Sequence, residues 1–210
     1  MSSYPPAPWT LSGEAIVSAQ LLPISKVRAR VPSALRIVPA LPGRTLGVIA
    51  LIRYGEGSSL QYHELIVAPA IVSMRARVGS WISDIFVDNE ASRLGGRELW
   101  NLPKQLAHFS WRSGRHASAD APGVSIEATI HAKSSLTLPL PFIAPAFGTL
   151  EWPARWFAAR GHARIGRARG LMRVNSSELL SMGFGESMHL HWIKRFRGSI
   201  DKGRAMTARH

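Results

Sequence analysis

Lys and Arg together number 26 in the 210 residues, yet only five of them are lysines. One of the five, Lys104, follows Pro103, stands between Leu102 and Leu106, and has Trp100 four positions earlier. A lysine held in apolar surroundings loses hydration of its ammonium form and keeps more of the nucleophilic amine. Such an amine attacks a carbonyl carbon and makes an imine. The same spacing also fits a surface lysine that lays its stem along apolar neighbours. Glu64 reads as a strand glutamate that pairs with an arginine. Arg97 and Glu98 read as a structural pair, or Arg97 as a bidentate clamp for a substrate carboxylate. His189 and His191, two apart on a strand, share a face and could ligate a metal, but no third ligand is evident and no metal site is expected. His63 and His108 are expected to satisfy local hydrogen bonds. The chain has no cysteine, which excludes disulfides, thiolate-bound metals and a thiol nucleophile. No nucleophile elbow, phosphate loop or dinucleotide fingerprint occurs, since Gly55-Glu56-Gly57 lacks the third glycine and the helix that should follow.

These groups must be positioned by a fold rich in strands. Apolar and β-branched runs predict strands at Glu14–Leu22, Leu46–Tyr54 and Tyr62–Val72, the last two joined by a turn at 55–59. Ser80–Val87 carries apolar groups on both faces and reads as a buried strand. Asp88 is expected to cap a helix over Glu90–Trp100, which Pro103 ends. Val27–Leu35 could hold one or two helical turns before Pro39 and Pro42 impose a loop. Further strands are expected at Gln105–Trp111, Val124–Ala132, Leu136–Leu140, Arg164–Arg173 and Met188–Arg197, with a helix starting at Ser176. Many strands, few short helices and no βαβ rhythm predict a mostly β, α+β protein. In it a curved antiparallel sheet closes into a cone or barrel with an internal cavity. No linker divides the chain, so residues 1–210 are expected to form one domain.

The formal net charge is +13. It is concentrated in residues 151–210, where 12 Lys and Arg oppose 4 Asp and Glu, a net of +8. Arg160, Arg164, Arg167, Arg169 and Arg173 are interleaved with Gly161, Gly166 and Gly170, which argues for a strand edge, loop or subunit contact and against a basic recognition helix. A nucleic-acid partner is therefore not expected, and a homo-oligomer is. The N-terminal residues lack a basic and an apolar region of a leader, and the longest apolar run is broken by Pro69. A cytoplasmic protein without membrane contact is expected.

The run from Asp88 to Leu106 resembles the active-site segment of acetoacetate decarboxylase-like proteins: Asp88-Asn89-Glu90 leads to Gly96-Arg97-Glu98 and then to Pro103-Lys104. Pro6-Ala7-Pro8-Trp9, Pro42-Gly43-Arg44 and Tyr62-His63-Glu64 fall in the family's order, so the resemblance covers about half of the chain. It implies a curved β-barrel or cone around an apolar cavity, no metal, no organic cofactor, and a lysine, here Lys104, that forms a Schiff base with a small keto acid. In that family a second cationic group activates the lysine. The resemblance also implies Glu64 as a catalytic carboxylate, with Arg97, Gln105 and Trp100 around the substrate. The sequence departs from the pattern at Gln105, where the family has a second lysine, and near Ile49, where it has a second carboxylate. Both departures point away from acetoacetate itself and toward decarboxylation of another keto acid or related aldol and dehydration chemistry. A non-catalytic barrel that binds an apolar or keto-acid ligand is the alternative, and a basic nucleic-acid module the third.

Overall fold

The computed structural model describes residues 3–112, 115–134 and 136–206. Its elements run β1 (Trp9–Pro23), α1 (Ile24–Val27), β2 (Arg36–Ile37), β3 (Arg44–Tyr54), β4 (Tyr62–Ala68), β5 (Ala70–Met74), β6 (Arg77–Trp81), β7 (Asp84–Val87) and α2 (Glu90–Trp100). They continue with β8 (Lys104–Leu106), β9 (His108–Arg112), β10 (His116–Ala121), β11 (Val124–Lys133), β12 (Leu138–Gly148), β13 (Arg155–Asn175), α3 (Ser177–Met182), β14 (Ser187–Ile200) and β15 (Arg204–Ala205). The fifteen strands belong to one sheet, whose main path is β2-β5-β6-β12-β13-β14-β1-β3-β4-β7-β8. The fold is mostly β with few helices. Among the described residues the two ends of that path, β2 and β8, do not pair, so the hydrogen-bonded ladder is not the closed barrel the sequence suggests.

Several strands stop earlier than their hydrophobicity implies. Pro69 has no N–H to give a ladder and divides the expected strand Tyr62–Val72 into β4 and β5. Ile82-Ser83 separates β6 from β7, and Ala107 separates β8 from β9. The helix expected within Val27–Leu35 lies earlier, in α1. The segment after it is held by the Arg28 guanidinium, which donates to the carbonyls of Val31, Pro32 and Leu35.

The middle stretches of β3 and β4 are mainly apolar because both of their faces are covered. Ile49 and Leu51 of β3 and Leu65 and Val67 of β4 enter the main core, together with Phe147, Ile126 and Met172. The alternate residues, Val48 and Ala50 of β3 and Glu64, Ile66 and Ala68 of β4, face a cavity on the other side. A period of two along one strand thus separates core from cavity.

The arginine-rich segment is not a sheet edge or a loop. β13 is a central strand between β14 and the pair β11 and β12. Arg160 and Arg164 are exposed at even positions, and Arg167, Arg169 and Arg173 are exposed at odd ones beyond an irregularity in which β14 carries one extra residue, Lys194, opposite Arg164 and Ile165. Gly161 and Gly170 stand where a Cβ would meet backbone of the neighbouring strands, including Gly198 Cα at 2.6 Å and Ile130 Cα at 3.0 Å. No helix among the described residues is long and apolar enough to cross a membrane.

Candidate active site

The loop and helix before Lys104 are built to deliver it. Asn89 caps α2, its side chain accepting from the Ser92 N–H at 2.9 Å. Asp88, expected in that role, instead accepts from the His63 backbone N–H and faces its Nδ1, both at 2.7 Å. Burial pushes the Asp88 carboxyl up, but the hydrogen bonds from His63 outweigh it and hold the group below the usual carboxylate range. At the other end, Asn101 adopts the left-handed conformation at φ 59° and turns the chain out of α2. Its side chain binds Glu151 through both backbone groups, with the Glu151 N–H donating at 3.0 Å. Pro103 follows, and β8 then runs parallel to β7 with Lys104 opposite Ile85.

Gly95-Gly96, a liability for a helix on propensity alone, is required by what α2 packs against. A Cβ at Gly95 would lie 2.6 Å from the Trp9 ring, and one at Gly96 would lie 2.6 Å from Lys104 Cε. The lysine stem passes directly across Gly96 and enters a cavity of about 230 Å³.

At the end of that stem Lys104 is 2% exposed and Glu64 is 3% exposed. Lys104 Nζ donates to Glu64 Oε2 at 2.6 Å and to Ser92 Oγ at 2.9 Å. Tyr54 donates its phenol to Glu64 Oε1 at 3.0 Å, and the Tyr62 phenol approaches Oε2 at 3.5 Å. The ammonium also lies 5.1 Å from the Tyr62 ring centroid. Burial first, and the Glu64 charge second, push both phenols well above the ordinary tyrosine range, so they stay protonated donors at neutral pH. Apart from Ser80 the cavity wall is otherwise apolar, with Trp9 and Trp100 meeting edge to face at 4.7 Å. Their indole N–H groups are fixed outside the wall, on the Pro5 carbonyl at 2.8 Å and the Asp201 carbonyl at 2.7 Å.

Of the five site residues expected from the sequence, the structure brings Lys104, Glu64 and Trp100 together around the cavity. The other two lie elsewhere. Arg97 donates its Nε to the Lys104 carbonyl at 2.9 Å, which fixes the lysine's backbone and leaves it out of the cavity wall. Gln105 is exposed, because a strand turns successive side chains to opposite faces and Lys104 takes the inward one. Ile49 points into the main core, so a carboxylate at that position would face away from the lysine. Ser92, Tyr54 and Tyr62 complete the polar cluster and were not singled out from sequence. The signal for the tyrosines was the period of two leading away from Glu64 and across the paired strand, where Tyr54 opposes Tyr62. Among the described residues no group of three or more His, Cys, Asp or Glu is placed to hold a metal. His189 and His191 instead lie beside Arg169 and Arg167 of β13, cations that oppose a metal ion.

The sheet encloses one side of a largely apolar cavity with a lysine and a glutamate paired at its end, and comparison with known proteins gives the family. The acetoacetate decarboxylase family model matches residues 1–138, and the chain belongs to that family. Solved structures agree in fold. An acetoacetate decarboxylase from Legionella pneumophila superposes with a TM-score of 0.69 at 14% identity, covering 99% of this chain and 90% of that one. The enduracididine biosynthesis enzyme MppR in complex with pyruvate superposes with a TM-score of 0.68 at 16% identity, covering 97% and 91%. Among curated relatives, Protein NEOXANTHIN-DEFICIENT 1 of Arabidopsis thaliana is 31% identical over 109 residues, which are 52% of this chain and 38% of that protein. The match therefore takes in well under half of that relative's length.

Proposed function

We propose that this protein is a Schiff-base-forming lyase in which Lys104 condenses with a substrate carbonyl and Glu64 manages the protons. The observation that carries this reading is the pair itself: a lysine amine 2.6 Å from a carboxylate, both almost fully buried, at the end of an apolar cavity. In such a place two charges are costly, and transfer of one proton from Nζ to Glu64 along their hydrogen bond leaves two neutral groups. No neighbouring cation is needed for that step, which answers the absence of a lysine at position 105. The free amine then attacks the carbonyl carbon, and Glu64 returns its proton to the oxygen, giving a carbinolamine. Loss of water leaves a protonated imine. That imine draws electrons from the adjacent carbon, so a β-keto acid can release carbon dioxide and a β-hydroxy ketone can release an aldehyde, each leaving an enamine. Glu64 delivers the proton that converts the enamine back to an imine, and water frees the ketone and the lysine. Ser92 and Tyr54 hold the amine and the carboxylate in register for each transfer.

Borohydride reduction in the presence of a carbonyl compound should fix the substrate's mass on one lysine, located at Lys104 by mass spectrometry of the digest. Equal labelling of the Lys104→Ala protein would sink the reading. A cavity that binds its ligand without reacting is then what remains.

A further inference from the structure

The sequence suggests a small keto acid as substrate, and a keto acid carries a carboxylate within a few bonds of the carbonyl that Lys104 must reach. Among the described residues that line the cavity there is no arginine, and no lysine other than Lys104, to receive it. Trp9, Leu11, Val48, Ala50, Ile66 and Ile82 are typical of the wall, and its titratable groups among the described residues are Tyr54, Tyr62, Glu64 and Lys104. The one cation, Lys104, is already neutralised by Glu64, so the pair as a whole has no net charge. Arg97, the residue best suited to a carboxylate, spends its Nε on the Lys104 carbonyl outside the wall. An anionic substrate would thus be stripped of water in a largely apolar space beside a pair of no net charge, with no further cation among the described lining residues to compensate.

From this we infer that the carbonyl substrate of Lys104 is a neutral, predominantly apolar ketone or aldehyde, and that the reaction is of the aldol type instead of a decarboxylation. The inference rests on the Schiff-base reading above and names the substrate class for it. Size agrees: an apolar cavity of roughly 150 Å³ accepts benzene, and this one, at about 230 Å³, has room for an aromatic ring or a short branched chain in addition to the carbonyl. The protons balance without any added reagent. In the cleavage direction, Lys104 has formed its imine with a β-hydroxy ketone, and water has left with the proton from Glu64. The Glu64 carboxylate then takes the hydroxyl proton, the carbon–carbon bond breaks, its electrons pass into the imine to give an enamine, and a neutral aldehyde departs. Glu64 returns the proton to carbon, and water releases the shorter ketone.

Phenylacetone and phenylpyruvate make a matched test, since they differ only by a methyl group in place of a carboxylate. Binding to the wild-type protein at neutral pH, measured by calorimetry, should favour phenylacetone by about a hundredfold, because burying an uncompensated carboxylate costs far more than burying a methyl. Cyanoborohydride trapping at Lys104 should show the same order. Equal or tighter binding of phenylpyruvate would overturn the inference. Preferential binding of phenylacetone with no adduct from either compound would overturn the Schiff-base reading and leave the ligand class standing. A second variant guards the test: Ala144 lies on the cavity wall at an exposed position of β12, so Ala144→Arg adds a cation at the rim without disturbing the core. It should raise phenylpyruvate affinity and narrow the gap. An unchanged ratio would mean that the carboxylate never faces this cavity, and the inference would fall.

Discussion

Two regions of the molecule collect charge in opposite ways. Inside the cavity, one lysine and one glutamate stand 2.6 Å apart with side-chain exposures of 3% and 5%. On the outer face of the sheet, β13 and β14 crowd basic side chains: Arg164 stands opposite Arg195, and His162, His191 and His189 stand opposite Arg197, Arg167 and Arg169. The outer ladder holds far more charge, and the like pair Arg164 with Arg195 opposes folding. Water and salt soften that opposition, and each exposed pair changes stability by only tenths of a kcal/mol. The buried pair is a single interaction with no such relief. Charge density in the sequence is greatest in the ladder, whereas the capacity for chemistry is greatest where dehydration makes one proton transfer consequential.

The contrast predicts a ranking of effects. Lys104→Met should abolish reductive labelling and, by leaving Glu64 buried without its partner, lower stability by about 3–5 kcal/mol in urea unfolding. The double variant Lys104→Met with Glu64→Gln should recover most of that loss, and failure to recover it would show that packing of the stem, and not charge, was the source. Gly96→Ala comes next. Its methyl collides with the lysine stem, and a cost of about 1–3 kcal/mol is expected together with slower labelling by a carbonyl probe.

Asp84 tests the same principle at an intermediate depth. Burial, only partly offset by the Ser83 hydroxyl that donates to it at 2.6 Å, raises its carboxyl above the usual range. A carboxyl raised in the folded state favours folding below the unfolded value near pH 3.9 and loses that advantage as pH rises through the folded value. Asp84→Asn should therefore stabilise the protein at pH 7 and change little at pH 3 in thermal melts. The smallest effect belongs to the outer face. Arg167→Ser and Arg169→Ser should each shift stability by within about 0.5 kcal/mol. The wild-type melting temperature should rise with added salt, and less so in these variants. A large loss in either would place the ladder in a specific contact.

Much of this was legible in the residues. The apolar and β-branched runs placed β3 and β11 closely and the later part of β1, whose first five residues were missed, and Ser176 began a helix as its hydroxyl predicted, accepting from the Leu179 N–H. Lys104 and Glu64 stood out because one was a rare lysine among leucines and both lay in family motifs. Strand breaks at Ile82-Ser83 and Ala107 were not legible, since local composition there continues that of the strands and only tertiary packing interrupts it. Strand β10 was missed because Ala and Ser in 116–121 lack β-branched character. The roles of Ser92 and Arg97 were hidden for a different reason. Both depend on where a lysine 12 and 7 positions later returns to the helix, and helical periodicity carries no record of that return.

Gly96 and Lys104 occupy one another's space, and so they are coupled in the order of mutation as well as in the fold. While the lysine is present, a methyl at 96 is excluded, and the helix bears the roughly 1 kcal/mol that glycine costs relative to alanine. Once a short side chain replaces the lysine, that exclusion ends and alanine at 96 becomes an improvement. The two substitutions are thus favourable in one sequence and harmful in the other: loss of the amine first opens the way to a sturdier helix, and the sturdier helix then blocks the amine's return. The glycine pair in α2 acts as a ratchet on the chemistry of the cavity, releasing it in one direction only.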